Sequence, residues 1–185
     1  FPSPTLKLGH WWRQFTQQYP FVKQQSKMDC GVACIAMISR YWGKRFSINQ
    51  IRPLANVDRN GTSLWGLVTA AESLGFSTRP VKGTLDGLAQ QSLPAIAHWQ
   101  GNHYITVYAV KRRKVIVSDP AKGRLVLSHA QFQEGWTGYT LLLQPTHALK
   151  QTPEAQSDLW RFIELLKPHR WVFLEVLLAS LLIQV

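Results

Sequence analysis

The sequence predicts an α+β fold in which helices come first and a mostly antiparallel sheet follows. Three observations carry this. Apolar residues between Asp29 and Leu74 recur at helical spacing. After Gly75 the pattern becomes a series of short β-rich runs. The turns between those runs are of hairpin length, which suits antiparallel pairing.

The first helix is read from Asp29, a plausible N-cap, through Val32, Ile35, Ala36, Ile38 and Ser39 to Tyr41, with Gly43 as its stop. Ser47 caps a shorter helix that runs through Leu54. Thr62 or Ser63 caps a third, through Trp65, Val68 and Leu74, and Gly75 ends it. Strands are expected at Thr78–Val81, Ala95–Trp99, His103–Val110, Val115–Ser118, Arg124–Leu127 and Tyr139–Leu143, with Gly, Pro and Asn between them.

The flanks differ from this body. Residues 1–20, with Trp11, Trp12 and Phe15, read as a lead-in whose aromatics either pack on the domain or belong to something upstream. The body is expected over 21–145, and 146–158 reads as a polar linker. Over 159–185, Leu159, Trp160, Phe162, Ile163, Leu165 and Leu166 form an amphipathic pattern up to Pro168, followed by an apolar run from Trp171 to Val185. A spanning helix needs about 20 apolar residues, so this run is read as the truncated start of a transmembrane helix. Arg161, Lys167, His169 and Arg170 precede it, so the positive-inside rule places the preceding domain in the cytosol. A buried C-terminal core helix is the alternative.

Composition narrows the function. An apolar fraction of 45% supports a real core, and the first twenty residues lack the apolar stretch of a secretory signal. The two cysteines, Cys30 and Cys34, are one helical turn apart, a poor geometry for a disulfide, and a reduced setting follows. A net charge of +11 suggests an anionic partner. No nucleic-acid motif accompanies it, and the one basic cluster, Lys111-Arg112-Arg113-Lys114, reads as a hairpin tip. The surface of an anionic membrane leaflet is the preferred partner.

Chemistry concentrates in Gln24-Gln25-Ser26-Lys27-Met28-Asp29-Cys30-Gly31. A cysteine that opens a helix has its thiolate favoured by unpaired N–H groups and the helix dipole. Gly31 is read as room for a substrate backbone, and Cys34, beside Val32, Ala33 and Ile35, as core packing. A thiolate peptidase also needs an imidazole to share the thiol proton and an acceptor to orient that imidazole. If the His103–Val110 and Val115–Ser118 strands pair so that residue numbers sum to 222, His103 lies opposite Asp119, within hydrogen-bonding reach. Gln24, six positions before Cys30, can curl back to donate to an oxyanion; Gln25 is its neighbour, and the spacing favours Gln24. A zinc site built on Cys30, Cys34 and one of the six histidines is a further option, without a second CxxC or HxxxH element to complete it.

The order Gln, Cys, His, Asp, with the cysteine opening a helix and the histidine on a later strand, is papain-like. Residues 24–143 resemble the peptidase domain of peptidase-containing ABC transporters, which process bacteriocins and other double-glycine-leader peptides. The resemblance rests on Gln24, Asp29-Cys30-Gly31, Tyr41-Trp42-Gly43, Gly61-Thr62-Ser63-Leu64, Leu74-Gly75-Phe76, His103-Tyr104 and Asp119-Pro120. It implies a cysteine endopeptidase that cuts after a Gly-Gly pair, with Cys30 as nucleophile, His103 as general acid and base, Asp119 as orienter and Gln24 in the oxyanion hole. It implies no cofactor for the peptidase, with ATP and Mg confined to the ATPase domain of a longer chain. It also implies a leader peptide as partner, a transporter core in a full-length homodimer, and a place on the cytoplasmic face of the cell membrane in a multi-pass protein. The rival reading is a module that docks the leader without cutting it.

Overall fold

The computed structural model describes residues 19–59 and 61–154, together with 168, 171–172, 175–176 and 179–180. Two compact units divide the chain, residues 1–154 and 155–185. In the first, a single 3-10 turn at Lys27–Asp29 leads into α1 (Cys30–Tyr41), followed by α2 (Ile48–Ile51) and α3 (Leu64–Ser73). Then come β1 (Phe76–Lys82), α4 (Leu85–Ala89), β2 (Ala95–Trp99), β3 (His103–Lys111), β4 (Lys114–Asp119), β5 (Gly123–Ser128), α5 (His129–Gly135), β6 (Trp136–Pro145) and α6 (His147–Gln151). Every strand pairing is antiparallel, in the order β1-β6-β2-β3-β4-β5.

Alternation along the strands explains the layering, because successive side chains point to opposite faces. Ile96, Tyr104, Leu141 and Leu143 share a buried cluster with α1, α2 and α3. Their neighbours Ala95, Ala97, Ile105, Val107 and Leu142 join a second cluster with Leu85 and Leu88 of α4 and Phe132 of α5. The sheet is therefore covered on both faces, by α1, α2, α3 and α6 on one side and by α4 and α5 on the other. Helix α1 is buried from Cys30 to Ser39 on every side, as a helix apolar all round must be. Its one buried hydroxyl, Ser39, donates to the Ile35 carbonyl at 2.8 Å.

The three expected helices and six expected strands all form. Three further helices escaped the sequence reading: α4, α5 and α6 are five to seven residues long, and each presents only one or two apolar side chains to the core. Helix α6 lies in the stretch read as linker. It buries Leu149 in the first cluster, and the Thr146 hydroxyl donates to the Gly75 carbonyl. The expected register of the β3–β4 hairpin is corrected. Thr106 faces Ser118 and Val107 faces Val117, pairs that sum to 224 rather than 222. At the tip, Lys111 faces Lys114 across the two-residue turn Arg112-Arg113, and the pairing shifts by one between Val107 and Ala109. Tyr108 is thus the extra residue of a β-bulge.

Residues 1–18 of the expected lead-in, and Leu159 to Leu166 of the expected amphipathic helix, lie outside the described residues. Of the expected membrane segment, Trp171, Val172, Glu175, Val176, Ala179 and Ser180 are described and helical. Among the described residues no helix is long and apolar enough to cross a membrane.

Gly75 and Gly43 both have left-handed backbones, with φ of 95° and 82°, but only Gly75 is crowded: an added Cβ would lie 2.3 Å from the Leu149 nitrogen. Gly43→Ala should therefore cost only the backbone strain, about 1–2 kcal/mol. Gly75→Ala should cost more than that by displacing α6. Urea denaturation of the two variants checks the difference.

Candidate active site

Cys30 is the first residue of α1, and the chain enters it through an ordered turn. Ser26 caps the Lys27–Asp29 turn, and the Asp29 carboxylate accepts from the Ser26 N–H at 2.7 Å, closing a capping box. The same carboxylate accepts two hydrogen bonds from Arg52, from Nε at 3.0 Å and from a terminal nitrogen at 2.8 Å. Asp29 occupies the N-cap position of α1, as expected, but makes no side-chain capping bond there. Its carboxyl is buried, which opposes ionisation, yet the bonds from Arg52 and Ser26 outweigh this and hold it below the usual carboxylate range.

Gly31 departs from its expected role. A Cβ there would meet Leu67 at 2.8 Å and Thr62 at 2.9 Å, so the glycine admits α3 and the Thr62 loop against α1. It is buried, with its Cβ direction filled by Leu67 and Thr62. The Thr62 hydroxyl in turn donates to the Ala55 carbonyl at 2.7 Å, fixing that loop behind the cysteine.

His103 opens β3 and Asp119 closes β4. The imidazole Nε2 lies 2.8 Å from Asp119 Oδ1, and the same oxygen accepts from the Ala121 N–H at 2.8 Å. Asp119 is buried; burial pushes its pKa up, but the bonds from His103 and Ala121 prevail and keep it low. Burial alone would depress His103. Hydrogen bonds with Asp119 and with the Cys30 thiol, and the charges of both groups, reverse this and raise the imidazole from 6.5 to about 9. With Nε2 engaged by Asp119, Nδ1 is the ring nitrogen available to the thiol. The proximity predicted for His103 and Asp119 holds, although through a register two residues away from the expected one. The bulge at Tyr108 makes this work. The two-residue tip has odd parity, which would put the two side chains on opposite faces, and one extra residue restores a common face.

Gln24 reaches the same place from the N-terminal side. Its backbone N–H donates to the Pro120 carbonyl at 3.1 Å, next to Asp119. Among the described residues its buried side-chain Oε1 has no hydrogen-bond partner, whereas Gln25 is exposed. Spacing had favoured Gln24, and burial agrees. The segment leading to it is anchored by the bulge: Tyr108 Oη donates to the Pro20 carbonyl at 2.5 Å, and Arg124 Nε donates to that of Tyr19 at 2.6 Å.

Cys34 lies one turn deeper and is fully buried. Burial drives its thiol well above the ordinary range, so it is poorly suited to nucleophilic work. Neither cysteine is in a disulfide. Among the described residues, no three His, Cys, Asp or Glu side chains cluster to hold a metal ion. Two neighbours were missed by the sequence reading. Tyr104 is close enough to both thiols that burial, reinforced by them, pushes its phenol up to about 12. Arg52 gave no signal of its own, although Ser26-x-x-Asp29 is a legible capping box.

Comparison with known proteins comes to the same place. The Peptidase C39 family matches residues 18–148. A mesentericin-Y105 transport/processing ATP-binding protein of Leuconostoc mesenteroides is 32% identical over 177 residues, 91% of this chain and 24% of its own. The transport/processing ATP-binding protein ComA of Streptococcus pneumoniae is 35% identical over 170 residues, covering 88% of this chain and 24% of that one. The chain thus spans about a quarter of the length of these relatives. Among solved structures, a double glycine motif protease from an AMS/PCAT transporter, in complex with the leader peptide, superposes with a TM-score of 0.67 at 27% identity, over 70% of this chain and 94% of that one. The peptidase domain of Streptococcus ComA, a bi-functional ABC transporter, gives 0.66 at 32% identity, over 69% and 99%.

The His103 value lies above its unfolded reference of 6.5, so the imidazolium contributes stability in full below pH 6.5. That contribution fades as pH rises through about 9. A ¹³C-histidine NMR titration should place the His103 midpoint near 9, and Asp119→Asn should move it down.

Proposed function

The chain belongs to the Peptidase C39 family, and from that premise we propose that it removes the leader of an exported peptide by cutting after a Gly-Gly pair. The observation that supports this most is the convergence of a helix-opening cysteine, an imidazole paired at 2.8 Å with a buried carboxylate, and a half-buried glutamine whose backbone N–H bonds the Pro120 carbonyl next to that carboxylate. Papain-like chemistry needs a nucleophile, an imidazole, an orienting acceptor and an oxyanion donor from the protein.

In the proposed reaction the Cys30 thiolate attacks the carbonyl carbon of the second glycine. The negative charge that develops on the carbonyl oxygen is met by the Gln24 side-chain amide and the Cys30 backbone N–H. The His103 imidazolium then protonates the leaving nitrogen, the C–N bond breaks, and a thioester joins the leader to Cys30. Neutral His103 takes a proton from water, whose oxygen attacks the thioester; the leader leaves as a carboxylate and the thiol is restored. Asp119 keeps the ring oriented and favours its charged form throughout.

The substrate follows from the relatives. The mesentericin, colicin V and ComA proteins are named for processing together with transport or secretion. A solved relative at 27% identity holds a leader peptide. We infer that the present domain does the same work for a longer chain that carries the transporter core and its ATP- and Mg-dependent ATPase. In that arrangement it stands at the cytoplasmic face of the membrane, within a homodimer.

Two outcomes test the reading. Cys30→Ala should abolish cleavage of a synthetic double-glycine leader substrate while its affinity, read by fluorescence anisotropy, changes less than about threefold. Cleavage that survives in this variant would leave a docking module with a contaminating protease as the better account. Replacing the second glycine of that substrate with leucine should lower kcat/KM by at least about a hundredfold, because misplacing the scissile carbonyl costs positioning. Equal rates on both peptides would remove the double-glycine specificity.

A further inference from the structure

The residue before the nucleophile poses a problem. Aspartate is among the best N-cap residues, and Asp29 occupies the N-cap position of α1, with φ −93° and ψ 2°. A carboxylate bonded there would occupy the first-turn N–H groups and add a negative charge where a thiolate has to be stabilised. It does neither.

We propose that Arg52 is a positioning residue for the Cys30 thiolate, whose ion pair with Asp29 keeps that carboxylate off the first turn of α1. This inference rests on the assignment of Cys30 as nucleophile. The guanidinium grips both carboxylate oxygens, at 3.0 and 2.8 Å, and the Ser26 N–H takes the remaining direction at 2.7 Å. Such a two-point fork is specific to arginine and fixes the plane of the carboxylate as well as its distance. The Asp29 side chain is sealed from solvent, while the Arg52 side chain is 38% exposed. The carboxylate therefore cannot rotate towards α1 without abandoning Arg52.

The scaffold delivers Arg52 to this point. Ser47 caps α2 through the Gln50 N–H, Ile48 and Ile51 are buried in the first core cluster, and Arg52 is the C-cap that follows. The charged and titratable groups around the thiol come from each packed element: His103 and Tyr104 on β3, Asp119 on β4, Cys34 within α1, and the Asp29–Arg52 pair before it. Leu67 and Thr62, which pack α3 and its leading loop against Gly31, bring no charge. Of these groups, only Asp29 is both adjacent in sequence and opposite in effect to thiolate formation without serving His103.

The test reads the thiol and not the peptidase, so its failure is distinct from failure of the proposed function. The pH profile of Cys30 alkylation by iodoacetamide, followed by peptide mass, is compared in wild type, Arg52→Gln, Arg52→Lys and the Arg52→Gln/Asp29→Asn double variant. Thermal unfolding confirms that each is folded. Arg52→Gln should shift the alkylation midpoint up by about one pH unit, about tenfold in rate below the midpoint. Arg52→Lys should recover part of the shift, and the double variant should return to the wild-type midpoint because the offending charge is gone. An unshifted midpoint in folded Arg52→Gln overturns the proposal. So does a double variant as shifted as the single one, since the effect would then be lost packing. If Arg52→Gln does not fold, Asp29→Asn alone decides: its midpoint should stay or fall, and a rise contradicts the account.

Discussion

A helix that is buried on all sides still has to begin, and its first N–H groups have to bond to something. Helix α1 begins at Cys30 with no side chain capping it. The rest of the domain is arranged around that opening. Asp29 is turned away by Arg52 and Ser26, Gly31 lets α3 close over the first turn, and the Thr62–Ala55 bond keeps the covering loop in place. What remains beside the opening is the thiol and the imidazole that hydrogen-bonds it. A conventional cap at this point would stabilise the helix, by about 1 kcal/mol, and occupy the groups that the chemistry needs.

The opposite half of the site depends on one irregular residue in the sheet. With a two-residue turn at Arg112-Arg113 and no bulge, β3 and β4 would present His103 and Asp119 to opposite faces. Tyr108 supplies the missing residue. Its hydroxyl then holds the Pro20 carbonyl, and its ring packs on those of Tyr19 and Tyr41, so the segment that delivers Gln24 hangs from the same bulge. The Gln24–Pro120 backbone bond closes the loop between the two. The imidazole's partner strand and the segment carrying Gln24 are thus joined through the Tyr108 side chain and the Gln24–Pro120 backbone bond.

Much of this was legible in the residues alone, and the exceptions share a cause. Period-3.6 and period-2 patterns reveal which residues face the core, so α1, α3 and the strands could be read from Val32, Ile35, Val68, Ile105 and Val117. Parity also follows from such patterns, which is why His103 and Asp119 were correctly placed on one face. Register does not. It is set by turn length and by the bulge at Tyr108, and an alternating apolar run looks the same after a shift of two. The short helices at 85–89, 129–135 and 147–151 carry too few apolar positions to show a period; their polar caps, Thr84, Ser128 and Thr146, were the available signals. Asp29 was read as a capping side chain and Gly31 as room for substrate, but their side-chain partners are Arg52 for the one and Leu67 and Thr62 packed against the other. Those partners are distant in sequence, and nothing local points to them.

The central claim is that Cys30, and not the deeper Cys34, attacks the carbonyl of the second glycine of a double-glycine leader. Active-site labelling addresses it directly: a leader peptide ending in Gly-Gly chloromethyl ketone is incubated with the intact chain, and the adduct is located by tandem mass spectrometry. The account predicts a single adduct per chain, on Cys30 Sγ. Labelling of Cys34 instead, or an unlabelled chain that continues to cut the leader, would contradict it.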